Sequence, residues 1–420
     1  MLKSVEQTVG IAVVGLGGGV STTVATGLEM LRAGRMGTDG LPLAECADWD
    51  DLVPYTDLRL AGWDLSPDDL AAAARGHRVV PRDELDQVAP ALAEIRPWAA
   101  VADAAFCRNV TGEHVYRDNS KRALIARVQR DLTGFAATTG SGRVVVINLA
   151  STERCAPLDT PAFQTLEAFE RALDANDPAI GPSMLYAYAA LDLGLPFGNF
   201  TPNLAAEIPA LIALARRRGA PIAGRDGKTG QTMMKTVLAP AFRARALTVE
   251  GWYSTNILGN RDGQALSDPA SLASKLGTKG DVLDQMLGYP VGNHLVQISY
   301  YPPKGDDKEA WDHVDITGFL GQRMQIKVNF LCKDSILAAP LVIEIARCLD
   351  LAQRCGEGGP LEALGVFFKA PVTGDGWPPE HAFFVQQAHL MRWLATASAA
   401  GKADGARAEL SRAAPVPAAE

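Results

Sequence analysis

The N-terminal segment constrains the fold most, because a strand, a glycine-rich turn and a helix are predicted there in immediate succession. Residues 9–14 (VGIAVV) form an apolar, largely β-branched run of the kind found in buried parallel strands. Residues 15–22 (GLGGGVST) follow as the turn, and helical spacing then continues to residue 31. This order is the context in which a glycine loop holds a dinucleotide pyrophosphate at the start of a helix.

The turn departs from the G-x-G-x-x-G pattern, because Val20 occupies the position of the third glycine. On the functional interpretation, the glycines let the backbone approach a pyrophosphate, and the hydroxyls of Ser21 and Thr22 donate hydrogen bonds to it. The alternative interpretation is a glycine-rich turn with a purely structural role. The candidate cofactor-binding residues of the turn are Gly15, Gly17, Gly18, Gly19, Val20, Ser21 and Thr22.

Two further predicted strands end in polar residues that are candidates for binding the same ligand. Residues 58–63 are followed by Asp64, whose carboxylate is placed to accept a hydrogen bond from an adenosine ribose. The separation from the glycine turn exceeds the usual ~20 residues, and an insertion between residues 34 and 56 accounts for the difference. Residues 144–147 lead into Asn148 and Ser151, and ligands of open α/β sheets bind at the carboxyl ends of strands.

The second half of the chain predicts a different kind of unit. Residues 209–218 predict a helix, and after Pro240 the sequence becomes rich in strands, at residues 246–249, 295–300 and 324–330. Residues 335–351 return to helical spacing, with Pro340 expected to start or kink that helix, and residues 395–420 are expected to fray. We therefore predict an α/β protein that contains a second, sheet-containing unit as an insertion.

Length and composition limit the class of protein. A chain of 420 residues is expected to form two domains, or one domain with a large insertion. The net charge of −8 argues against a nucleic-acid partner, although a basic pocket can sit inside an acidic protein. The sequence has no uninterrupted apolar run of about 18 residues, so we expect no membrane span and a cytoplasmic location. Six cysteines without a Cys-x-x-Cys pair predict reduced, mostly buried thiols.

A set of lysines and aspartates in the second half carries the strongest chemical signal. Ammonium and carboxylate groups are costly to bury without a task, and these residues stand in apolar or glycine-rich surroundings. Together with the glycine turn, the set indicates a pocket for an anionic, carbonyl-bearing substrate beside a dinucleotide. Its members are Asp226, Lys228, Asp262, Lys275, Lys279, Lys308, Asp334 and Lys369.

Several members of this set also have a structural interpretation. Lys275 and Lys279 are four residues apart, so on a helix they form either a solvated basic face or a pair in which each lowers the pKa of the other. Lys308 ends a turn-like segment, residues 303–308, which is either functional or an ordinary charged loop. Asp334 precedes an apolar run and is either a site residue or a helix N-cap.

Other classes of enzyme are disfavoured. The six histidines show no metal-ligand spacing and no partner for a catalytic triad, so we expect structural or surface roles for them. The sequence contains neither a G-x-S-x-G elbow nor a G-x-x-x-x-G-K-[ST] loop, which argues against hydrolases and P-loop NTPases.

Seven short motifs narrow the interpretation further. They are residues 62–64 (GWD), 224–232 (GRDGKTGQT), 258–263 (LGNRDG), 274–279 (SKLGTK), 305–308 (GDDK), 334–340 (DSILAAP) and 368–371 (FKAP). In this order, and over almost the whole chain, they resemble the motifs of the myo-inositol-phosphate synthase family. The chain resembles a compact prokaryotic form, because it lacks the longer N-terminal region of eukaryotic members.

The resemblance implies a Rossmann-type NAD-binding domain with an inserted α+β catalytic and tetramerisation domain. It assigns residues 1–200 and 335–420 to the first and 201–334 to the second, and it implies a homotetramer. The implied activity is an NAD-dependent isomerisation of D-glucose 6-phosphate to 1D-myo-inositol 3-phosphate. In that chemistry NAD oxidises C5, a C6 proton is removed to give an enolate, C6 attacks the C1 aldehyde, and hydride returns to C5.

The resemblance also implies roles for the charged set. Lys275 would assist hydride and proton transfer at C5. Fixed cations in a dry site strongly stabilise developing oxyanions. The lysines that would hold such an oxyanion or the substrate phosphate are Lys279, Lys308 and Lys369. The carboxylates that would orient the lysines, the nicotinamide side or a bound cation are Asp226, Asp262 and Asp334.

The sequence departs from the family pattern at two places. Arg225 stands where an acidic residue is expected, and Asn293 precedes His294 where aspartate is usual. These departures leave open whether a divalent or a monovalent cation is required. They also leave open a related cyclase acting on another sugar phosphate. A catalytically silent NAD-binding regulator is a second alternative, and the intact lysine set argues against it.

Overall fold

The structure is a computed structural model that describes residues 8–45, 51–140, 142–277, 282–374 and 377–412. Within helices, the side chains of residues 274–277 and 398–412 lie outside that description. The strands of the described chain are β1 (Val9–Val14), β2 (Leu58–Asp64), β3 (Trp98–Ala99), β4 (Val144–Asn148), β5 (Phe197–Asn199), β6 (Pro221–Gly224), β7 (Thr248–Leu258), β8 (His294–Tyr300), β9 (Asp307–Thr317), β10 (Arg323–Lys333) and β11 (Gly359–Pro360).

Helices surround these strands. They are α1 (Gly19–Arg32), α2 (Leu70–His77), α3 (Arg82–Asp86), α4 (Ala89–Ala93), α5 (Lys121–Thr139), α6 (Leu166–Asp174), α7 (Pro182–Asp192), α8 (Pro209–Arg218), α9 (Gln231–Ala244), α10 (Arg261–Leu266), α11 (Pro269–Gly277), α12 (Val282–Leu287), α13 (Asp334–Arg354) and α14 (Phe383–Arg412). None of the described helices is both long enough and apolar enough to cross a membrane.

A seven-stranded parallel sheet organises the larger unit, in the order β11-β6-β5-β4-β1-β2-β3. Every residue of β1 is buried, because helices cover both faces of the sheet. On one face α1 and α13 contribute Leu28 and Val342 to the core. On the other face α5 and α7 contribute Leu132 and Tyr186. The strand order reverses direction between β1 and β4, which is where open α/β sheets bind their ligands.

A four-stranded sheet organises the second unit, in the order β10-β9-β7-β8. Strands β7 and β8 are parallel, whereas β9 pairs antiparallel with both β7 and β10. One face packs on α9 and α12 through residues such as Trp252, Val314 and Leu283. The opposite face carries exposed apolar side chains, including Leu295 and Leu331.

The strands that carry the sequence signal are found where they were predicted, but the structure corrects four local predictions. Strand β7 begins at Thr248 rather than at residue 246, because Ala246 has a positive φ of 53° where α9 ends. Pro340 lies inside α13, so the expectation that it starts the helix is wrong, and the alternative of a kink stays a prediction. The segment 395–412 belongs to α14 rather than fraying, and residues 413–420 lie outside the described chain.

The fourth correction concerns β9, which the sequence analysis missed. Partly buried residues alternate with buried ones along most of it, and the buried positions include Asp312, so the period-2 pattern holds without an apolar run. The predicted turn at residues 303–308 therefore ends early. Lys308 lies within the strand, where it pairs with Cys332 of β10.

Candidate functional site

The glycine turn after β1 adopts a conformation that only glycine tolerates at its first position. Gly15 has a φ of +89°, and a Cβ added there would lie 2.9 Å from the carbonyl oxygen of Leu149. The hydroxyl of Ser21 donates to Gly15 O at 2.7 Å, and that of Thr22 donates to Gly18 O at 3.0 Å. Both hydroxyls thus stabilise the turn itself in this structure.

Asp64, at the end of β2, is buried and holds the turn from the side. Its Oδ2 accepts a hydrogen bond from Gly17 N at 2.8 Å, and its Oδ1 accepts one from Ser66 N at 3.0 Å. His77 contacts the carbonyl oxygen of the same glycine, with 2.7 Å between Nε2 and the oxygen. The backbone of Gly17 is therefore fixed on both sides by side chains that come from β2 and α2.

The polar residues after β4 separate into two groups. Asn148 is fully buried, and its Nδ2 donates to Ser183 Oγ at 3.2 Å and to Asn199 Oδ1 at 3.3 Å. It joins β4 to β5 and is not one of the described residues that line the cavity. Ser151 does line the cavity.

A cavity of about 710 Å³ lies between the carboxyl edge of the parallel sheet and the second unit. This volume is in the range of pockets for small molecules and cofactors. The glycine turn and Asp64 line one part of it. The members of the charged set that also line it are Asp226, Asp262, Lys308, Asp334 and Lys369. The structure thus brings the dinucleotide signal and much of the charged set into one space.

Lys369 and Asp226 form a buried ion pair in the cavity wall. The segment after β6 runs antiparallel to the segment that carries Lys369, with a hydrogen bond of 2.7 Å from Lys369 N to Asp226 O. The Lys369 ammonium lies 2.7 Å from Asp226 Oδ1, and the side chains are 10% and 4% exposed. The backbone pairing therefore presets the geometry of the charged pair.

A second ion pair lies nearby, between Lys308 and Asp334. The Nζ–Oδ1 distance is 3.3 Å, and the hydroxyl of Thr229 donates to the same Oδ1 at 3.0 Å. Asp334 is the first residue of α13, whose N-cap is Lys333, so the predicted N-cap role is not what the structure has. Asp262 accepts a hydrogen bond from Thr152 Oγ1 at 3.3 Å.

Two lysines of the predicted set are not placed by the structure. Lys275 lies in α11, in the part whose side chains are not described, and Lys279 lies outside the described residues. Lys228 is buried, but it is not among the described residues that line the cavity. Its ammonium donates to Gln386 Oε1 at 2.5 Å, and burial lowers the pKa of Lys228 to about 7.

Sequence reasoning missed two buried carboxyl groups of the cavity wall. Asp306 accepts hydrogen bonds from Ser335 Oγ at 2.8 Å and from Asn260 Nδ2 at 3.2 Å, and burial raises its pKa. Its place in the GDDK motif could have revealed it. Glu153 accepts from Ser183 Oγ at 2.8 Å, and burial raises its pKa to about 7. No sequence pattern distinguished Glu153.

The residues present fit a dinucleotide. Helix α1 starts at Gly19 with Gly18 as N-cap, and no side chain caps it, so its first amide groups are left to bind an anion. The glycine backbone and the Asp64 carboxylate border the same cavity. By contrast, the described residues contain no group of three or more His, Cys, Asp or Glu side chains arranged to hold a metal ion.

Comparisons with known proteins agree with this arrangement. An NAD-binding family model described as myo-inositol-1-phosphate synthase matches residues 43–395. An inositol-3-phosphate synthase of Bacteroides thetaiotaomicron is 40% identical, with 92% of this chain and 94% of that protein covered. An inositol-3-phosphate synthase of Sesamum indicum is 31% identical, with 82% of this chain and 72% of that protein covered.

Solved structures show the same fold. An inositol-3-phosphate synthase of Caenorhabditis elegans superimposes with a TM-score of 0.86 at 24% identity, and the match covers 93% of this chain and 86% of that one. A myo-inositol-1-phosphate synthase-related protein of Thermotoga maritima gives a TM-score of 0.74 at 23% identity, covering 92% of this chain and 98% of that one.

Proposed function

The chain belongs to the myo-inositol-1-phosphate synthase family, and we propose that it is an NAD-dependent isomerase that converts D-glucose 6-phosphate to 1D-myo-inositol 3-phosphate. One observation supports this most directly. The glycine turn and the two lysine–aspartate pairs line a single cavity. A dinucleotide and a phosphorylated sugar can therefore meet there.

The cyclisation requires oxyanions to be stabilised at more than one carbon. NAD, when bound, supplies the oxidation at C5 and the later return of hydride. Lys369 is an ammonium held at the cavity wall by Asp226, so it can stabilise a developing oxyanion without being reoriented. Lys308 is held in the same way by Asp334. The proposal assigns Lys275 to proton and hydride transfer at C5, and Lys279 to the phosphate or an oxyanion.

The N-terminus of helix α9, beside these lysines, is a place where the substrate phosphate can bind. Helix α9 begins at Gln231 with Gly230 as N-cap and has no side-chain cap, so its first amide groups are open to an anion. The recess at this helix end is lined by Thr229, Lys308 and Lys369, among others. Positive charge and helix amides together favour a phosphate there.

The proposal also covers the organisation of the protein. We place a discontinuous NAD-binding domain in residues 1–200 and 335–420 and a catalytic and oligomerisation domain in 201–334. Strand β6, which pairs with β5, favours moving the first boundary beyond Gly224. A homotetramer is supported by exposed apolar side chains on the outer face of the four-stranded sheet, where Leu295 and Leu331 are 61% and 65% exposed. We further propose a cytoplasmic enzyme whose product feeds phospholipid biosynthesis.

Incubation of the purified protein with glucose 6-phosphate and catalytic NAD tests the activity. Products are followed by phosphorus and carbon NMR, with and without chelator and potassium, because a monovalent or divalent cation requirement is part of the proposal. We expect an inositol monophosphate to form without net accumulation of NADH. If NAD binds and no carbocycle forms under any cation condition, the activity on this substrate is refuted, and other sugar phosphates are screened next.

A further inference from the structure

A network of buried, hydrogen-bonded polar side chains lies behind the recess, between α9 and the inner face of the four-stranded sheet. It starts at Asp312 on β9, which is 3% exposed. Asp312 Oδ1 accepts hydrogen bonds from Trp252 Nε1 at 2.7 Å and from Ser254 Oγ at 2.6 Å. Its other oxygen, Oδ2, accepts from Gln231 Nε2 at 3.0 Å. Both oxygens of this buried carboxylate therefore act as acceptors.

The network continues from Gln231 to the recess. Because Gln231 donates to Asp312 through Nε2, its carbonyl oxygen Oε1 faces the other way and accepts from Asn256 Nδ2 at 2.6 Å. The Thr255 carbonyl oxygen also lies 3.4 Å from Gln231 Nε2, which favours the same amide orientation. Asn256 lines the recess, which has a volume of about 20 Å³.

The donor and acceptor roles in this network are set by the chemistry of its groups and not by packing. An ionised carboxylate has only acceptors, whereas each amide has one acceptor end and one donor end of nearly equal shape. Asp312 thus forces Gln231 to donate to it. Gln231 in turn forces Asn256 to commit its Nδ2, which leaves Asn256 Oδ1 as the atom without a hydrogen bond from the described chain.

Asn256 Oδ1 is not among the described side-chain atoms that are buried without a hydrogen-bond partner. Since Asn256 is 3% exposed as a residue and borders the recess, its accessible surface opens there. A carbonyl oxygen accepts hydrogen bonds and does not donate them. The group it recognises is consequently a donor, such as a sugar hydroxyl.

We propose that Asp312 is a positioning residue for the substrate: through Gln231 it fixes the amide of Asn256 with Oδ1 facing the recess, where it accepts a hydrogen bond from a substrate hydroxyl. Lys235 supplies nearby positive charge on the same side of the sheet, with its ammonium 2.8 Å from His294 Nε2 and 5.5 Å from the centre of the Trp252 ring. This inference rests on the proposed function and adds a specificity element to it.

The test compares variants that disturb the same carboxylate in different ways. Asp312→Asn keeps the shape of the side chain but turns the atom that faces Gln231 into a donor, so the donor and acceptor roles in the network are lost. Ser254→Ala and Trp252→Phe each remove one hydrogen-bond donor to Asp312 Oδ1 and leave the donor and acceptor roles of Gln231 and Asn256 unchanged. The readouts are Tm, the Kd for NAD, and KM and kcat with glucose 6-phosphate.

We expect all three variants to lower Tm, but only Asp312→Asn to raise KM, by about tenfold. Its Kd for NAD should stay within about twofold, because Asp312, Gln231 and Asn256 are not among the described residues that line the cavity with the glycine turn. A KM for Asp312→Asn within twofold of the parent overturns the inference, as does an equal rise in KM for Ser254→Ala.

A second variant keeps the inference testable if Asp312→Asn does not fold. Asn256→Ala removes the residue of the network that borders the recess. It should raise KM by a similar factor and weaken binding of glucitol 6-phosphate. That analogue carries the hydroxyls and the phosphate but has no C1 aldehyde, so its binding does not depend on turnover. Unchanged binding of the analogue overturns the inference. An inactive parent protein that still binds the analogue would instead refute only the proposed reaction.

Discussion

Replacing Lys369 by methionine is expected to lower stability as well as activity, because it removes the ammonium that pairs with a buried carboxylate. The Lys369 ammonium lies 2.7 Å from Asp226 Oδ1, in side chains that are 10% and 4% exposed. Removing one partner of a buried pair costs ~3–5 kcal/mol. An unfolding entropy of ~2.1 cal/mol/K per residue gives ~0.9 kcal/mol/K for a chain of 420 residues. Tm should therefore fall by about 3–6 °C.

Lys333→Met provides the matched control. Its ammonium lies 2.9 Å from Asp307 Oδ1, but these side chains are 39% and 62% exposed. An exposed pair contributes ~0–1 kcal/mol, so Tm should change by about 1 °C or less. Scanning calorimetry of the two variants separates burial from pairing, since the ion-pair distances are nearly equal.

Activity is measured on the same samples by inositol phosphate formation. Loss of one group that stabilises an oxyanion typically lowers kcat by ~10²–10³-fold, so Lys369→Met should show at least that loss. The Kd for NAD should stay within about threefold, because Lys369 serves the substrate. Adding Asp226→Asn should recover most of the lost stability and none of the activity. A Tm shift no larger than that of Lys333→Met, together with kcat within threefold of the parent, would refute both the ion-pair reasoning and the site assignment.

Three further predictions test other parts of the structure. Asp64→Ala should weaken NAD binding measured by calorimetry and spare kcat at saturating NAD, so a large fall in the saturated rate would contradict a purely cofactor-binding role. Burial lowers the pKa of Lys228 from 10.5 to about 7, so the unfolded state binds more protons between these values and stability should rise with pH across this window. Lys228→Met should flatten that rise in denaturant titrations at pH about 7 and about 9, and an unchanged slope would count against it. Leu331→Glu should reduce the assembly size in sedimentation, whereas an unchanged size would show that the outer sheet face is not the subunit contact.

Much of the parallel-sheet unit could be predicted from sequence, because its signals are local. Strand β1 and the glycine turn are adjacent in the chain, and the buried run of β1 is apolar at nearly every position. Asp64 follows its own strand directly and reaches the turn through the parallel pairing of β1 with β2. The rule that ligands bind at carboxyl ends of parallel strands then connects these elements without further information.

The pairings within the site could not be predicted in the same way. Lys369 and Asp226 are 143 residues apart, and their contact depends on the antiparallel pairing of two short segments. Family resemblance identified both residues as site candidates but did not pair them. Strand β9, which carries Lys308 and Asp312, was missed because its buried positions include a charged residue, and a carboxylate in a core is not an apolar signal.

The two lysines near this antiparallel pairing show what distinguishes a site lysine from a structural one. Lys228 and Lys369 are 3% and 9% exposed, and Lys228 N donates to Phe367 O, close to Lys369 in the chain. Lys228 has an amide as its hydrogen-bond partner, no carboxylate of the described chain forms an ion pair with it, and burial lowers its pKa to about 7. Lys369 instead faces the cavity with a carboxylate at 2.7 Å. A buried ammonium keeps its charge when it has a counter-ion, and only a charged ammonium stabilises an oxyanion. By this criterion Lys308, which lines the cavity with Asp334 as its partner, belongs with Lys369 and not with Lys228.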